Sequence, residues 1–218
     1  MSTVFQPFGL KPAYHPSGLD RAVPFVGTNT FIPESGYSAP YSLSTGQAFY
    51  QYQPVGLNAS GQLTIGATAA ATAPLYGVFD GVEFTDSQGR RSVAKWASKT
   101  TLDAATQIVF WIFQDPNIVY EAQIRGSATA SAIGSQYDFD TTNTPAVGYS
   151  IGNGGAGFSQ AALEATANST GTQGQVRVVG LGREVAYPAG VTNQWGDAFT
   201  IVQVTIANNS FVAPKVSV

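Results

Sequence analysis

The sequence predicts an all-β fold, a β-barrel or β-sandwich domain behind an extended N-terminal arm. Three observations carry this. Short runs of β-branched and aromatic residues recur along the 218 residues, punctuated by 24 glycines and 12 prolines. Such punctuation marks short strands joined by turns. No heptad, charge run or fixed-period repeat is present, and the opening residues carry prolines that neither a helix nor a central strand accommodates.

The arm comes first. Val4-Phe5-Gln6-Pro7-Phe8-Gly9-Leu10-Lys11-Pro12-Ala13-Tyr14-His15-Pro16-Ser17-Gly18 is rich in proline and aromatics. Proline fixes φ and removes a backbone donor, so Pro7, Pro12 and Pro16 favour an extended path. Phe5, Phe8, Leu10 and Tyr14 then need a surface to lie on, either their own domain or a neighbouring subunit. Pro24, Pro33 and Pro40 keep interrupting the chain, and Phe25-Val26 and Phe31-Ile32 are short pieces suited to a sheet edge. The boundaries expected are an arm and lead-in over 1–44, a β-rich domain over 45–206 and a tail over 207–218.

From Gly46 the pattern is that of strands. Ala48-Phe49-Tyr50-Gln51-Tyr52 and Val55-Gly56-Leu57 lead through the Asn58-Ala59-Ser60-Gly61 turn to Leu63-Thr64-Ile65. Ala67 to Ala73 reads as a loop. Leu75 to Phe84 resumes the β pattern, with Gly77 and Gly81 suited to bulges, and Asp86-Ser87-Gln88-Gly89 turns the chain again. Ile108-Val109-Phe110-Trp111-Ile112-Phe113 is the expected centre of the core, six apolar residues fitting a strand covered on both faces.

After the Asp115-Pro116-Asn117 turn, Val119 to Ile124 alternates. Tyr120, Ala122 and Ile124 are expected inward and Glu121 and Gln123 outward, in a hairpin with the preceding strand. Ala128 to Gly134 has room for one helical turn. Gly152 to Gly157 is a loop, and Ser159 to Ala165 is too short for a convincing helix. Gln175 to Leu181 and Phe199 to Ile206 close the set of strands. On the last, Val202, Val204 and Ile206 share a face, with Phe199 and Ile201 beginning the other.

The totals bound function. Charged residues make up 11% of the chain, against roughly 25% in an average globular protein. Part of the surface is therefore covered by partners, or Ser, Thr, Asn and Gln supply its polarity. A net charge of −3 argues against a general nucleic-acid binder, whose domains carry a basic excess. One local exception exists: Arg90, Arg91, Lys95 and Lys99 hold four of the ten basic residues, beside Trp96. This reads as a solvated loop, as a contact patch for an acidic protein surface, or as a phosphate site. The absence of cysteine excludes disulfides and Cys-based zinc sites. Met1-Ser2-Thr3-Val4-Phe5 lacks the pattern of a signal peptide, and no apolar run reaches 18 residues, so the expectation is a chain made in a cytoplasm that does not span a membrane.

Catalytic chemistry finds little support. A serine–histidine–acid site needs a histidine, and the single one, His15, sits on the proline-rich arm. Asp80, Glu83 and Asp86 straddle a strand and a turn and read as salt-bridged or exposed rather than as a glycosidase pair. Asp138 and Asp140 share a face of an extended segment with too few ligands for a calcium site, and read as a solvated turn. Gly152 to Gly157 lacks the GK[ST] ending of a phosphate loop. No enzyme, cofactor or metal is expected.

With these residues in view, the chain resembles the decoration or cement proteins of tailed-bacteriophage heads. The pieces are Phe8-Gly9-Leu10-Lys11-Pro12, Ser17-Gly18, Gly77 to Phe84, Asp115-Pro116-Asn117-Ile118-Val119-Tyr120-Glu121-Ala122-Gln123, Val178-Val179-Gly180-Leu181, Trp195-Gly196-Asp197-Ala198-Phe199, and Val202 to Asn209, in that order. The resemblance implies a non-enzymatic virion protein on the capsid surface, synthesised in the host cytoplasm, whose partner is the major capsid protein. It would bridge neighbouring capsid subunits against internal DNA pressure. The candidate capsid contacts are Phe5, Phe8, Leu10, Tyr14, His15, Arg90, Arg91, Lys95 and Trp96. Trp195, Phe199 and Ile201 are candidates for a homo-oligomer interface, a dimer or a trimer. The rival reading is a receptor- or carbohydrate-binding β module of a phage tail or cell-surface protein.

Overall fold

Side-chain turns cut the chain into short strands. Asn58 Oδ1 accepts the backbone N–H groups of Ser60 (2.9 Å) and Gln62 (3.0 Å). Asp86 Oδ1 accepts those of Gln88 and Arg90 (both 2.9 Å), and Asp115 Oδ1 accepts that of Asn117 (2.8 Å). Asn and Asp bind the backbone in this way because their short side chains reach the N–H two residues on.

A computed structural model describes residues 5–18, 21–25, 39–66, 74–140, 157, 159–183, 185–186 and 191–211. The strands are β1 (Lys11–Tyr14), β2 (Val23–Phe25), β3 (Ala48–Tyr50), β4 (Gln53–Leu57) and β5 (Leu63–Ile65). There follow β6 (Gly77–Thr85), β7 (Arg91–Ala94), β8 (Trp96–Ser98), β9 (Thr106–Phe113) and β10 (Val119–Gln123). The last are β11 (Gln136–Tyr137), β12 (Val176–Leu181), β13 (Val185–Ala186), β14 (Val191–Thr192) and β15 (Ile201–Ile206). A short helix α1 (Lys99–Asp103) begins at Ser98, whose Oγ accepts the Thr101 N–H at 3.1 Å. The protein is all-β, as its sequence predicts.

One sheet has five strands in the order β1-β10-β15-β12-β11. A second runs β2-β9-β6-β4-β5, with β7 also paired to β6. Both are antiparallel, and among the described residues neither closes on itself. Two-stranded ribbons β3-β8 and β13-β14 complete the pairing.

Two apolar cores result. The first sheet turns Tyr120, Ala122, Val202, Val204, Ile206, Val176 and Val178 onto Leu10, Leu75, Ile118, Phe139 and Leu163. The second turns Val55, Phe79, Val82, Phe110 and Ile112 onto Tyr41, Leu43, Phe49, Ala97 and Leu102. The cores adjoin along β6, where Val78 belongs to one and Phe79 to the other. Successive strand residues face opposite sides, so a single strand serves both. A bulge between Phe79 and Gly81 then brings Phe79 and Val82 to the same side despite their spacing of three.

Several expectations need correction. The strands around Asp115-Pro116-Asn117 are not a hairpin: β9 pairs β2 and β6, whereas β10 pairs β1 and β15. The turn therefore carries the chain from one sheet to the other. Nor is β9 covered equally on both faces. Ile108, Phe110 and Ile112 are buried, while Val109, Trp111 and Phe113 are half-buried. Glu121 and Gln123 do lie opposite Tyr120 and Ala122, yet they are buried as well, because the N-terminal segment and the chain near Arg183 cover that face. Gln6 N–H donates to Gln123 Oε1 at 2.9 Å and Arg183 N–H to Glu121 Oε1 at 2.8 Å.

The segment expected to be an arm belongs to the fold. β1 is an edge strand of the first sheet and β2 of the second, so the described part of residues 1–44 is built into both sheets. The expected tail also packs up to Phe211. Ser210 N–H donates to Leu75 O at 2.9 Å, and the Phe211 ring lies 5.3 Å from that of Tyr76. Ala130–Ala132 forms one 3-10 turn, as anticipated. Ser159 to Ala165 is irregular, with Leu163 bridging Ile124 and Phe139. Val26, Phe31, Ile32, Ala67 to Ala73, Gly152 to Ala156 and residues 212–218 lie outside the described residues. Among the described residues no helix is long and apolar enough to cross a membrane.

Candidate functional site

Two surfaces were singled out in the sequence, the N-terminal segment and the basic stretch beside Trp96. The structure treats them differently. Leu10 is completely buried in the first core. Phe5 is half-buried with its ring 5.2 Å from that of Phe199, and Phe8 is half-buried too. Gly9 packs so closely that a Cβ there would lie 2.2 Å from Tyr52 O. Its φ of +78° also disfavours a side chain. His15 is buried, accepts the Ser17 N–H through Nδ1 at 2.9 Å and places Nε2 3.3 Å from Asp115 Oδ2. The Asp115 carboxyl is held below its ordinary range chiefly by the Asn117 backbone N–H, with the His15 contact adding to it. Of the five N-terminal contact candidates, Tyr14 is the one exposed. Leu10 and His15 are buried within the chain, and Phe5 and Phe8 are half-buried against it.

The basic stretch occupies the β6–β7 hairpin, β8 and the start of α1. All four cations are matched by carboxylates. Arg90 pairs with Asp86 (2.9 Å), Arg91 with Glu83, Lys95 with Asp80 (2.9 Å) and Lys99 with Asp103 (2.6 Å). The antiparallel register sets Arg91 opposite Thr85, diagonal to Glu83, while the Arg90–Asp86 pair closes the β6–β7 turn and the Lys99–Asp103 pair lies within α1. Asp80, Glu83 and Asp86 are therefore salt-bridged, as their sequence setting implied. Exposed pairs of this kind contribute little to stability. Their larger effect is to cancel charge.

What projects from this neutralised ribbon is apolar. Val93 is 73% exposed and Trp96 42%. Trp96 is held by the β3–β8 pairing opposite Tyr50, and alternation on β7 turns Val93 outward with Arg91. Val93 was not singled out from the sequence. The signal was the inversion of the usual pattern, a valine alternating with charged and small residues on a strand whose opposite face covers the core.

Asp138 and Asp140 are buried rather than on a solvated turn. Asp138 accepts the Gln175 N–H (3.0 Å) and the Asn168 amide (2.9 Å), and Asp140 pairs with Arg125 at 3.0 Å. Among the described residues no cluster of His, Asp and Glu is arranged to hold a metal. Burial pushes the carboxyl of Glu164 up, reinforced by the charges of Asp138 and Asp140. A raised folded-state value means that the ionised form costs stability at pH above it, and that the cost disappears below the unfolded value near pH 4.3. Glu164→Gln should therefore raise the urea midpoint at pH 7, with the gain fading as pH falls and absent below about pH 4. Denaturation curves of both proteins across that range check it; a gain persisting at pH 3 would refute the electrostatic origin.

The C-terminal candidates also turn inward. Ile201 is buried beneath Gly182, where a Cβ would lie 2.7 Å from Ile201 Cγ2. Asn193 clamps its backbone, donating to Ile201 O (2.7 Å) and accepting from its N–H (3.0 Å). Trp195 packs on the first core and Phe199 on Phe5. The second face of β15 is thus covered at Ile201 by the same chain. The chain matches no protein-family model, no curated protein and no solved structure.

Proposed function

We propose that the chain is a non-enzymatic structural protein of a phage virion. It binds the outer surface of the capsid and cements neighbouring major capsid subunits. The observation that carries the reading is the stretch over β7 and β8, strands that pair with β6 and β3, where four ion pairs cancel and leave Val93 and Trp96 exposed. A chain with 11% charged residues that also closes its densest basic cluster on itself has a surface suited to apolar contact. The ordered resemblance to head decoration proteins supplies the partner. Attachment moves, on this reading, from the N-terminal segment to the stretch over β7 and β8.

The nature of the contact makes it testable. Tryptophan is enriched among residues whose truncation costs 2 kcal/mol or more at interfaces, which is about 30-fold in affinity. Trp96→Ala should weaken binding to empty expanded shells by about that factor, and Val93→Asp should do at least as much. Arg91→Ala and Lys95→Ala should change little. Raising the salt to about 1 M, where the screening length is about 3 Å, should leave binding intact. Co-sedimentation reads all of these. Binding lost in salt or with the arginine and lysine variants, but kept by Trp96→Ala, would show that an acidic surface is recognised instead.

A further inference from the structure

The two large sheets end in the edge strands β1, β11, β2, β5 and β7, and four of these edges are blunted. β1 carries Pro12 and a register shift between Pro12 and Tyr14, and β2 carries Pro24. The edge of β5 is covered by the chain before it: Leu63 N–H donates to Pro40 O at 3.0 Å and Ser42 N–H to Leu63 O at 2.8 Å. The edge of β11 is covered at Asn168, whose N–H donates to Gln136 O at 2.8 Å. Proline, irregular register and covering chain are the devices that stop an edge from pairing with a foreign strand. β7 has none of them, and among the described residues it pairs with β6 alone.

The turn before β7 fixes which way its backbone points. Asp86 N–H donates to Arg90 O at 2.9 Å and Gly89 N–H to Asp86 O at 3.0 Å, so the hairpin closes on a hydrogen-bonded pair. Bonded and non-bonded pairs alternate along an antiparallel ladder. Thr85–Arg91 is therefore non-bonded, Phe84–Ser92 bonded, Glu83–Val93 non-bonded and Val82–Ala94 bonded. The N–H and C=O groups of Ser92 and Ala94 serve β6. Those of Arg91 and Val93 point away from the sheet, where the described residues give them no partner. With Val93 73% exposed, this edge is open to an approaching chain.

Backbone groups repeated every second residue on an open edge accept a further strand, and the neighbouring side chains select it. Arg91 is already paired with Glu83 and Lys95 with Asp80, so the added strand needs no charge, and exposed Val93 favours an apolar side chain beside it. A second copy of β7 fits poorly. Set antiparallel with Val93 opposite Val93, it would bring Arg91 towards Lys95 of the other copy. With Val93 opposite Arg91, it would place two arginines on a diagonal. Like charges so placed oppose strand pairing. We infer that β7 takes up an extended, uncharged, apolar segment of the capsid subunit as an added strand, hydrogen-bonded to the backbone of Arg91 and Val93.

The inference rests on the proposed shell attachment and specifies its mode. Its test is amide hydrogen exchange on the full chain, free and bound to empty expanded shells, read at single amides by mass spectrometry. In the free chain Ser92 and Ala94 should exchange slowly and Arg91 and Val93 fast. On the shell, exchange at Arg91 and Val93 should slow about tenfold or more. Val93→Pro removes an outward N–H from an edge strand, so it should leave the melting temperature nearly unchanged. It should nevertheless weaken co-sedimentation with shells at least about tenfold more than Val93→Ala, which keeps that donor. Ser92→Pro removes an inward N–H and should lower the melting temperature instead. Shell binding with Arg91 and Val93 still exchanging fast, or folded Val93→Pro binding as well as Val93→Ala, would overturn strand addition while leaving attachment standing. Failure of the unaltered chain to bind shells would overturn both. Exchange at the two amides that slows in the free chain as its concentration rises would assign the edge to a second copy and overturn the inference as well.

Discussion

Phe110→Ala should lower the stability of the protein by about 3–5 kcal/mol. Phe110 is completely buried, and its ring has four aromatic neighbours. Phe49 lies at 5.4 Å, Tyr41 at 6.1 Å, Phe79 at 6.2 Å and Phe25 at 6.5 Å between ring centroids. These come from the β3–β8 ribbon, the segment before it, and strands β6 and β2, so one side chain links most of the second core. The loss approaches the whole margin of a marginal domain, about 5–15 kcal/mol, and corresponds to about 6–20 °C in melting temperature at this chain length. Trp111→Ala, on the half-buried face of the same strand, should cost clearly less. Thermal scans of the two variants decide the matter; a larger effect at Trp111 would mean that the faces of β9 are assigned the wrong way round.

Deletion of residues 2–18 should prevent cooperative folding rather than release an independent β domain. The deletion removes β1 and with it Leu10, a fully buried side chain of the first core. Truncating a buried leucine alone typically costs about 2–5 kcal/mol. Further losses follow: the Leu10 N–H bond to Tyr52 O at 2.8 Å, the Gly9 N–H bond to Ala161 O at 3.2 Å and the Gln6 N–H bond to Gln123. The truncated chain should show collapsed amide dispersion and no sharp thermal transition. Gly9→Val in the full chain should reproduce much of this, since its Cβ would collide with the Tyr52 carbonyl. A truncated protein with a native-like spectrum and a sharp melt would show that the segment merely rests on the fold.

Much of the fold is legible in the residues themselves. Turn chemistry marks the Asn58, Asp86 and Asp115 turns, the β runs mark most strands, and the face of Val202, Val204 and Ile206 is where alternation puts it. Partner choice is another matter. A proline turn between two apolar strands reads as a hairpin, yet the same turn crosses between sheets when each strand has better partners elsewhere, and those partners lie far away in sequence. Burial of Glu121 and Gln123 was invisible for a related reason, since alternation gives the face of a residue but not what later covers it. The ion pairs of the β6–β7 hairpin were half visible. Both the acids and the bases stand out, and folding the sequence symmetrically about Asp86 to Gly89 brings them together. The row of Lys11, Glu121, Gln203 and Gly180 across the first sheet left no such trace, because these residues come from separate segments and two strand irregularities set their alignment.

The proposed attachment to a capsid is tested most directly by the saturation of empty expanded shells with the purified chain. A plateau is expected at a fixed ratio of bound copies to major capsid subunits, reached alike in low and high salt, with the coated shells surviving heating that disrupts bare ones. Absence of binding, or binding that rises with concentration without a plateau and leaves shell stability unchanged, would contradict it.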